Sequence, residues 1–115
     1  MIFEINTTTE PTHVCISVKG ELNGATAPQL EANLAGFLTH PGKQWVLDLE
    51  KLVFSSSAGL RVFLSYAKKT KNVGGRLIFC AVQPGVMDVF EVSGFTRIFT
   101  IVPTLDQARK LAGAS

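Results

Sequence analysis

Apolar and polar positions change their period several times along this chain, and the changes mark its elements. Ile2 to Ile5 is a short apolar run that Thr7-Thr8-Thr9-Glu10-Pro11 breaks with turn-forming residues, so a hairpin is expected. His13 to Lys19 alternates, with Val14, Ile16 and Val18 on one face and His13, Cys15, Ser17 and Lys19 on the other, the period of two that marks a strand. Gly20-Glu21-Leu22-Asn23-Gly24 is read as its end. From Ala25 the period becomes helical. Ala27, Leu30, Leu34, Phe37 and Leu38 share a side, Thr26 before Pro28 is a start signal, His40 closes the helix and Pro41-Gly42 stops it. Trp45-Val46-Leu47-Asp48-Leu49 is almost continuously apolar, the composition of a strand covered on both faces and parallel to a neighbour. It runs on through Leu52-Val53-Phe54 into three serines.

Beyond the serines, Leu60, Phe63, Leu64 and Ala67 recur at helical spacing and are expected to face the sheet, with Arg61, Ser65, Lys68 and Asn72 outside. Gly74-Gly75 ends that helix. Arg76 to Ala81 reads as a buried strand, Pro84 to Ser93 as a short helix and Ile98 to Val102 as a last strand. Thr104 and Gln107 supply a capping box for a final helix through Leu111. The alternation predicts one α/β domain over residues 1–115. Its sheet is mostly parallel, of about five strands, with an N-terminal antiparallel edge strand and four helices. In open sheets of this kind, ligands and partners meet the loops at the carboxyl ends of the strands. Gly20 to Gly24 and Phe54 to Gly59 both fall there and are expected to be neighbours.

The junction Phe54-Ser55-Ser56-Ser57-Ala58-Gly59-Leu60 is built of residues too small to be present for packing. One serine serves as an N-cap for the orphan amides of the helix, which leaves two unexplained. Gly59 falls in the first helical turn, where it costs about 1 kcal/mol relative to alanine. Something must gain from the missing side chain, and close approach by another molecule is one such gain.

Composition narrows the chemistry. At 115 residues the chain buries a little under about 70% of its unfolded surface and folds on an ordinary core. It is 46% hydrophobic, yet no stretch approaches the roughly 20 apolar residues of a membrane span, and the first residues lack the pattern of an export signal. A cytoplasmic location without a membrane partner is expected. Cys15 and Cys80 lack paired spacing and read as small buried hydrophobes, while His13 and His40 are isolated and read as surface or capping residues. No metal or cofactor is expected. The net charge is +2, and Lys68, Lys69 and Lys71 complement the negative end of a helix without interleaved aromatics, so nucleic acid is not an expected partner. No histidine base stands near the serines in sequence, and neither a G-x-S-x-G elbow nor a G-x-x-x-x-G-K loop is present. The expectation is a binding protein without catalytic residues, not an enzyme.

Four pieces, in this order and spacing, resemble the STAS domains and, among them, the stand-alone anti-sigma factor antagonists. They are Gly20-Glu21-Leu22, Val46-Leu47-Asp48-Leu49 leading to Phe54, Ser56-Ser57-Ala58-Gly59-Leu60, and Val92-Ser93-Gly94-Phe95. The resemblance covers almost the whole chain. It implies phosphorylation by a partner serine/threonine kinase that is also an anti-sigma factor, on Ser57 by alignment to Gly59-Leu60 and on Ser56 as second choice. It implies reversal by a serine phosphatase, and a protein that is monomeric when free. The implied docking surface takes Glu21, Asn23 and Gly24 from one loop. From the other it takes Ser55, Ser56, Ser57, Ala58 and Gly59, with Arg61 beside them. Two positions depart from the family: many members have aspartate where this chain has Ser56, and many have it where this chain has Asn23. The same fold also serves as a soluble accessory subunit of membrane transporters, the alternative function.

Overall fold

The computed structural model describes residues 2–113. Strand β1 (Glu4–Thr9) pairs antiparallel with β2 (Val14–Leu22), and α1 (Ala27–Ala35) then crosses to β3 (Gln44–Asp48). A short β4 (Leu52–Ser55) leads into α2 (Ser57–Asn72) and β5 (Arg76–Cys80). The chain ends through α3 (Pro84–Val92), β6 (Thr100–Val102) and α4 (Leu105–Leu111). The sheet order is β1-β2-β3-β5-β6, with β4 on β2, and every pairing after the first is parallel.

Alternation along each strand divides the core. Val14, Ile16, Val18, Trp45, Leu47, Leu77 and Phe79 pack beneath α1, α2 and α3, with Phe63, Phe90 and Phe99 closing an aromatic cluster around Phe79. Cys15, Val46, Ile78 and Cys80 face the other way and are covered by Leu105 and Ala108 of the last helix and by Ala112 at its end. Each fully buried large side chain contributes about 1.5–3 kcal/mol. Both cysteines are indeed packing residues: burial raises the Cys15 thiol and pushes that of Cys80 up to about 12, so neither is a ready nucleophile.

The structure corrects several expectations. Thr7-Thr8-Thr9 is strand, not turn, paired with Ile16, Cys15 and Val14; threonine is β-branched and suits an exposed edge. Gly20-Glu21-Leu22 continues β2 rather than ending it. The register shifts between Gly20 and Glu21, and Gly20 takes φ +106°, a backbone that L side chains rarely adopt, so glycine lets the strand bend without stopping. Beyond the bend the partner is β4, a strand the pattern did not separate from β3. Helix α1 ends at Ala35, before Phe37 and His40. The Trp45 indole donates to the Phe37 carbonyl at 2.8 Å and holds the following turns against β3. Phe95–Arg97 forms a 3₁₀ turn, and the last strand begins at Thr100 rather than Ile98. His13 is not a surface residue: it is 1% exposed, wedged where β2 begins. In α2 the buried set also includes Val62, Tyr66 and Thr70, and Val62 and Tyr66 lie on the side that meets Glu31, Leu34 and Ala35 of α1.

Candidate functional site

The two irregular loops meet at one end of the sheet. Leu22 pairs with Ser55, and the Ser56 N–H donates to the Leu22 carbonyl at 2.8 Å, which joins the end of β2 to the start of α2. The β2–α1 loop is held by its own polar groups. Asn23 Oδ1 accepts the backbone N–H groups of Ala25 (2.9 Å) and Thr26 (3.1 Å). Thr26 Oγ1 accepts from the Asn23 N–H and donates to the Glu21 carbonyl, both at 2.9 Å. This is an Asx-type turn. An aspartate at position 23 offers the same acceptor, so asparagine changes the charge of the loop and leaves its bonding pattern available.

The three serines differ sharply. Ser55 is 3% exposed and its hydroxyl donates to the Ser56 carbonyl at 3.2 Å. Ser56 is the N-cap of α2 in extended backbone, and its Oγ is buried with no hydrogen-bond partner. Ser57 is the first residue of the helix and is exposed. Because Ser56 makes no side-chain cap, the amides of the first turn of α2 carry no side-chain acceptor, and the positive end of the helix dipole stands beside the Ser57 hydroxyl. Arg61 lies one turn along on the same face. Gly59 has a different explanation from the one expected. A Cβ there would lie 2.6 Å from Leu22 Cδ2, from Leu22 Cγ and from Ser55 Oγ, so the missing side chain lets α2 sit on the end of β2. The close approach is internal.

Every residue expected at the docking surface therefore lies at one end of the molecule, but not all present a side chain. Ser57 and Gly24 are exposed, Ser55 and Gly59 are buried, and Asn23 is engaged in its loop. Ala58, Gly24 and Arg61 border a groove of about 610 Å³ between α1 and α2. Sequence reasoning passed over Val53 and Phe54, which are 51% and 48% exposed on β4 just before the serines. The signal was present as two apolar residues in so short a strand, but the run from Trp45 read as one buried element. Among the described residues no group of histidine, cysteine and acidic side chains is arranged to hold a metal ion. No helix there is long and apolar enough to cross a membrane.

The chain is also similar to known proteins. The chain is 44% identical over 91 residues to BtrV of Bordetella bronchiseptica, named as an anti-sigma factor antagonist, a match covering 79% of this chain and 78% of that one. It is 27% identical over 89 residues to the anti-sigma-B factor antagonist of Listeria monocytogenes, covering 77% of this chain and 78% of that one. The crystal structure of an anti-sigma factor antagonist from Mycobacterium paratuberculosis superposes with a TM-score of 0.87 at 24% identity, over 96% of this chain and 94% of the other, and shares the fold. These relatives are named as regulatory antagonists rather than as enzymes. The family model for the STAS domain matches residues 4–108, and the chain belongs to that family.

Proposed function

We propose that this protein is an anti-sigma factor antagonist that works by partner switching. Unphosphorylated, it binds an anti-sigma factor that is also a serine kinase and so releases a sigma factor; phosphorylated on Ser57, it lets the kinase go. The observation that carries the site is the contrast among the serines: only Ser57 offers an exposed hydroxyl at the helix start. The names of the relatives support the antagonist reading over the transporter-subunit one.

The charge explains the switch without refolding. A phosphate adds about −1.5 to −2 charges. Within the free protein it gains roughly 0.3–1 kcal/mol from the amides and dipole of α2. In the complex the same group must lose water against a surface that received a hydroxyl, and an unpaired buried charge costs several kcal/mol. The second quantity is larger, so phosphorylation dissociates the pair, and a serine phosphatase restores binding. Val53, Phe54 and the exposed backbone at Gly24 supply apolar and close-approach contacts beside Ser57.

The test is tandem mass spectrometry after incubation with ATP and the kinase from the same organism, alongside Ser57→Ala and Ser56→Ala. One phosphate on Ser57, absent only from Ser57→Ala and accompanied by loss of kinase binding, is the expected result. Phosphate on Ser56 would move the site by one residue, and no phosphate with no kinase binding would overturn the reading.

A further inference from the structure

Helix α2 carries four cations, Arg61, Lys68, Lys69 and Lys71, and no acidic residue. Two of them, Arg61 and Lys68, stand on one wall of the groove of about 610 Å³ between α1 and α2, and Glu31 is the single acid on the facing wall. Ala27 and Val62 are its buried apolar lining, and half-buried Leu64 lies at its edge beside Arg61 and Lys68. Neither groove cation is in an ion pair; the only one among the described residues joins Lys110 to Asp106 on α4. The groove opens at Gly24 and Ala58, so it continues directly from the loop that carries Ser57.

From this juxtaposition we infer that the groove receives an acidic segment of the anti-sigma factor, with apolar side chains against its apolar lining and a carboxylate on Arg61. Phosphate on Ser57 then competes for the same Arg61. The inference rests on the partner-switch reading and deepens it. Ser57 and Arg61 are four residues apart on one helix, so their side chains are neighbours across one turn. Arg61 in the unphosphorylated protein is free to point along the groove. A phosphate one turn away draws the guanidinium back, because arginine pairs with phosphate by short, charge-assisted bonds. Phosphorylation thereby acts twice, by placing a charge where the partner docks and by withdrawing a cation that the partner uses.

Calorimetric titration with the partner kinase bound to ADP, which holds no phosphoryl group to transfer, separates these effects. The proteins needed are wild type, Arg61→Gln, Lys68→Gln and Glu31→Gln, each checked by thermal melting, all three positions being exposed. Arg61→Gln and Lys68→Gln are expected to weaken binding by roughly tenfold or more, the loss of one charge-assisted contact. Glu31→Gln should tighten it. The fall in affinity caused by phosphorylating Ser57 should be smaller in Arg61→Gln than in wild type, which a merely structural arginine does not produce. Wild-type binding with all three variants unchanged would overturn the groove and leave the partner switch standing. Displacement of the kinase by duplex DNA with equal sensitivity to Lys68→Gln would assign the groove to nucleic acid instead. Failure of the wild type to bind the kinase at all would bring down the partner switch, and the groove's occupant with it.

Discussion

Replacing Gly59 with alanine separates two explanations of the same residue. In the first turn of α2 alanine is favoured over glycine by about 1 kcal/mol. If Gly59 were kept for an incoming partner, Gly59→Ala would raise the stability of the free protein by that amount. The structure predicts the opposite. The new methyl would lie 2.6 Å from two Leu22 carbons and from Ser55 Oγ, and Leu22 is fully buried, with nowhere to retreat. Overpacking of this kind costs about 1–3 kcal/mol. Taking about 2 kcal/mol for the clash and subtracting the propensity gain leaves a loss of about 1 kcal/mol, or a fall in Tm of about 4 °C for a chain of this size. Leu22→Ala removes both carbons that the methyl meets, at a cost of about 2–5 kcal/mol alone. In the double variant the Gly59→Ala methyl occupies part of the space vacated, so the two losses should fall short of their sum by about 1 kcal/mol or more. Urea denaturation of the four proteins measures this. A stabilised Gly59→Ala, or strict additivity with Leu22→Ala, would refute the internal-packing account.

Three further outcomes follow from individual polar side chains. Burial, then the Arg109 charge, holds His13 below its ordinary pKa of 6.5, with Glu10 opposing and His40 adding to the effect. The folded state therefore resists protonation that the unfolded chain accepts. Stability is full above pH 6.5 and falls as pH drops below it, with a slope that cannot exceed about 1.4 kcal/mol per pH unit; denaturation across pH 5 to 7 should show this, and His13→Gln should flatten it. Tyr66 Oη is buried without a hydrogen-bond partner, so Tyr66→Phe should raise stability by about 1 kcal/mol; a lower Tm would contradict the orphaned hydroxyl. Asn23→Ala removes the acceptor of two backbone amides and should cost about 1 kcal/mol, whereas Asn23→Asp should keep the loop and match or exceed the wild type in thermal melting.

The order of elements and the meeting of the two loops were legible because they rest on strong periodic signals and on the direction of a parallel sheet. Trp45 to Leu49 and the stripe from Leu60 to Ala67 can bury their apolar atoms in few ways. The strand boundaries were less legible where residues have two physical uses. Threonine makes turns through its hydroxyl and strands through its branched Cβ, and in Thr7 to Thr9 the second use prevails because β2 offers a ladder. Gly20 looks like a terminator, yet its positive φ lets β2 bend and keep pairing. Strand β4 follows β3 without proline or glycine, so no local signal separates them. At the site, alignment singled out Ser57, but the burial of Ser55 and of the Ser56 hydroxyl depends on contacts with Leu22, more than 30 positions earlier. The same distance in sequence hid the purpose of Gly59.

Strand β2 carries two ladders in succession, four residue pairs with β3 and then three with β4, one at Gly20 and two beyond the bend. The first lies inside the sheet with strands on both sides, and the second is a short clasp that holds the head of α2. Amide exchange should divide accordingly, slowest at Ile16 and Leu47 and faster at Leu22, Phe54 and Ser56. The end of the molecule proposed to meet other proteins is thus fastened by its own small catch, which should loosen and close again while the rest of the sheet stays shut.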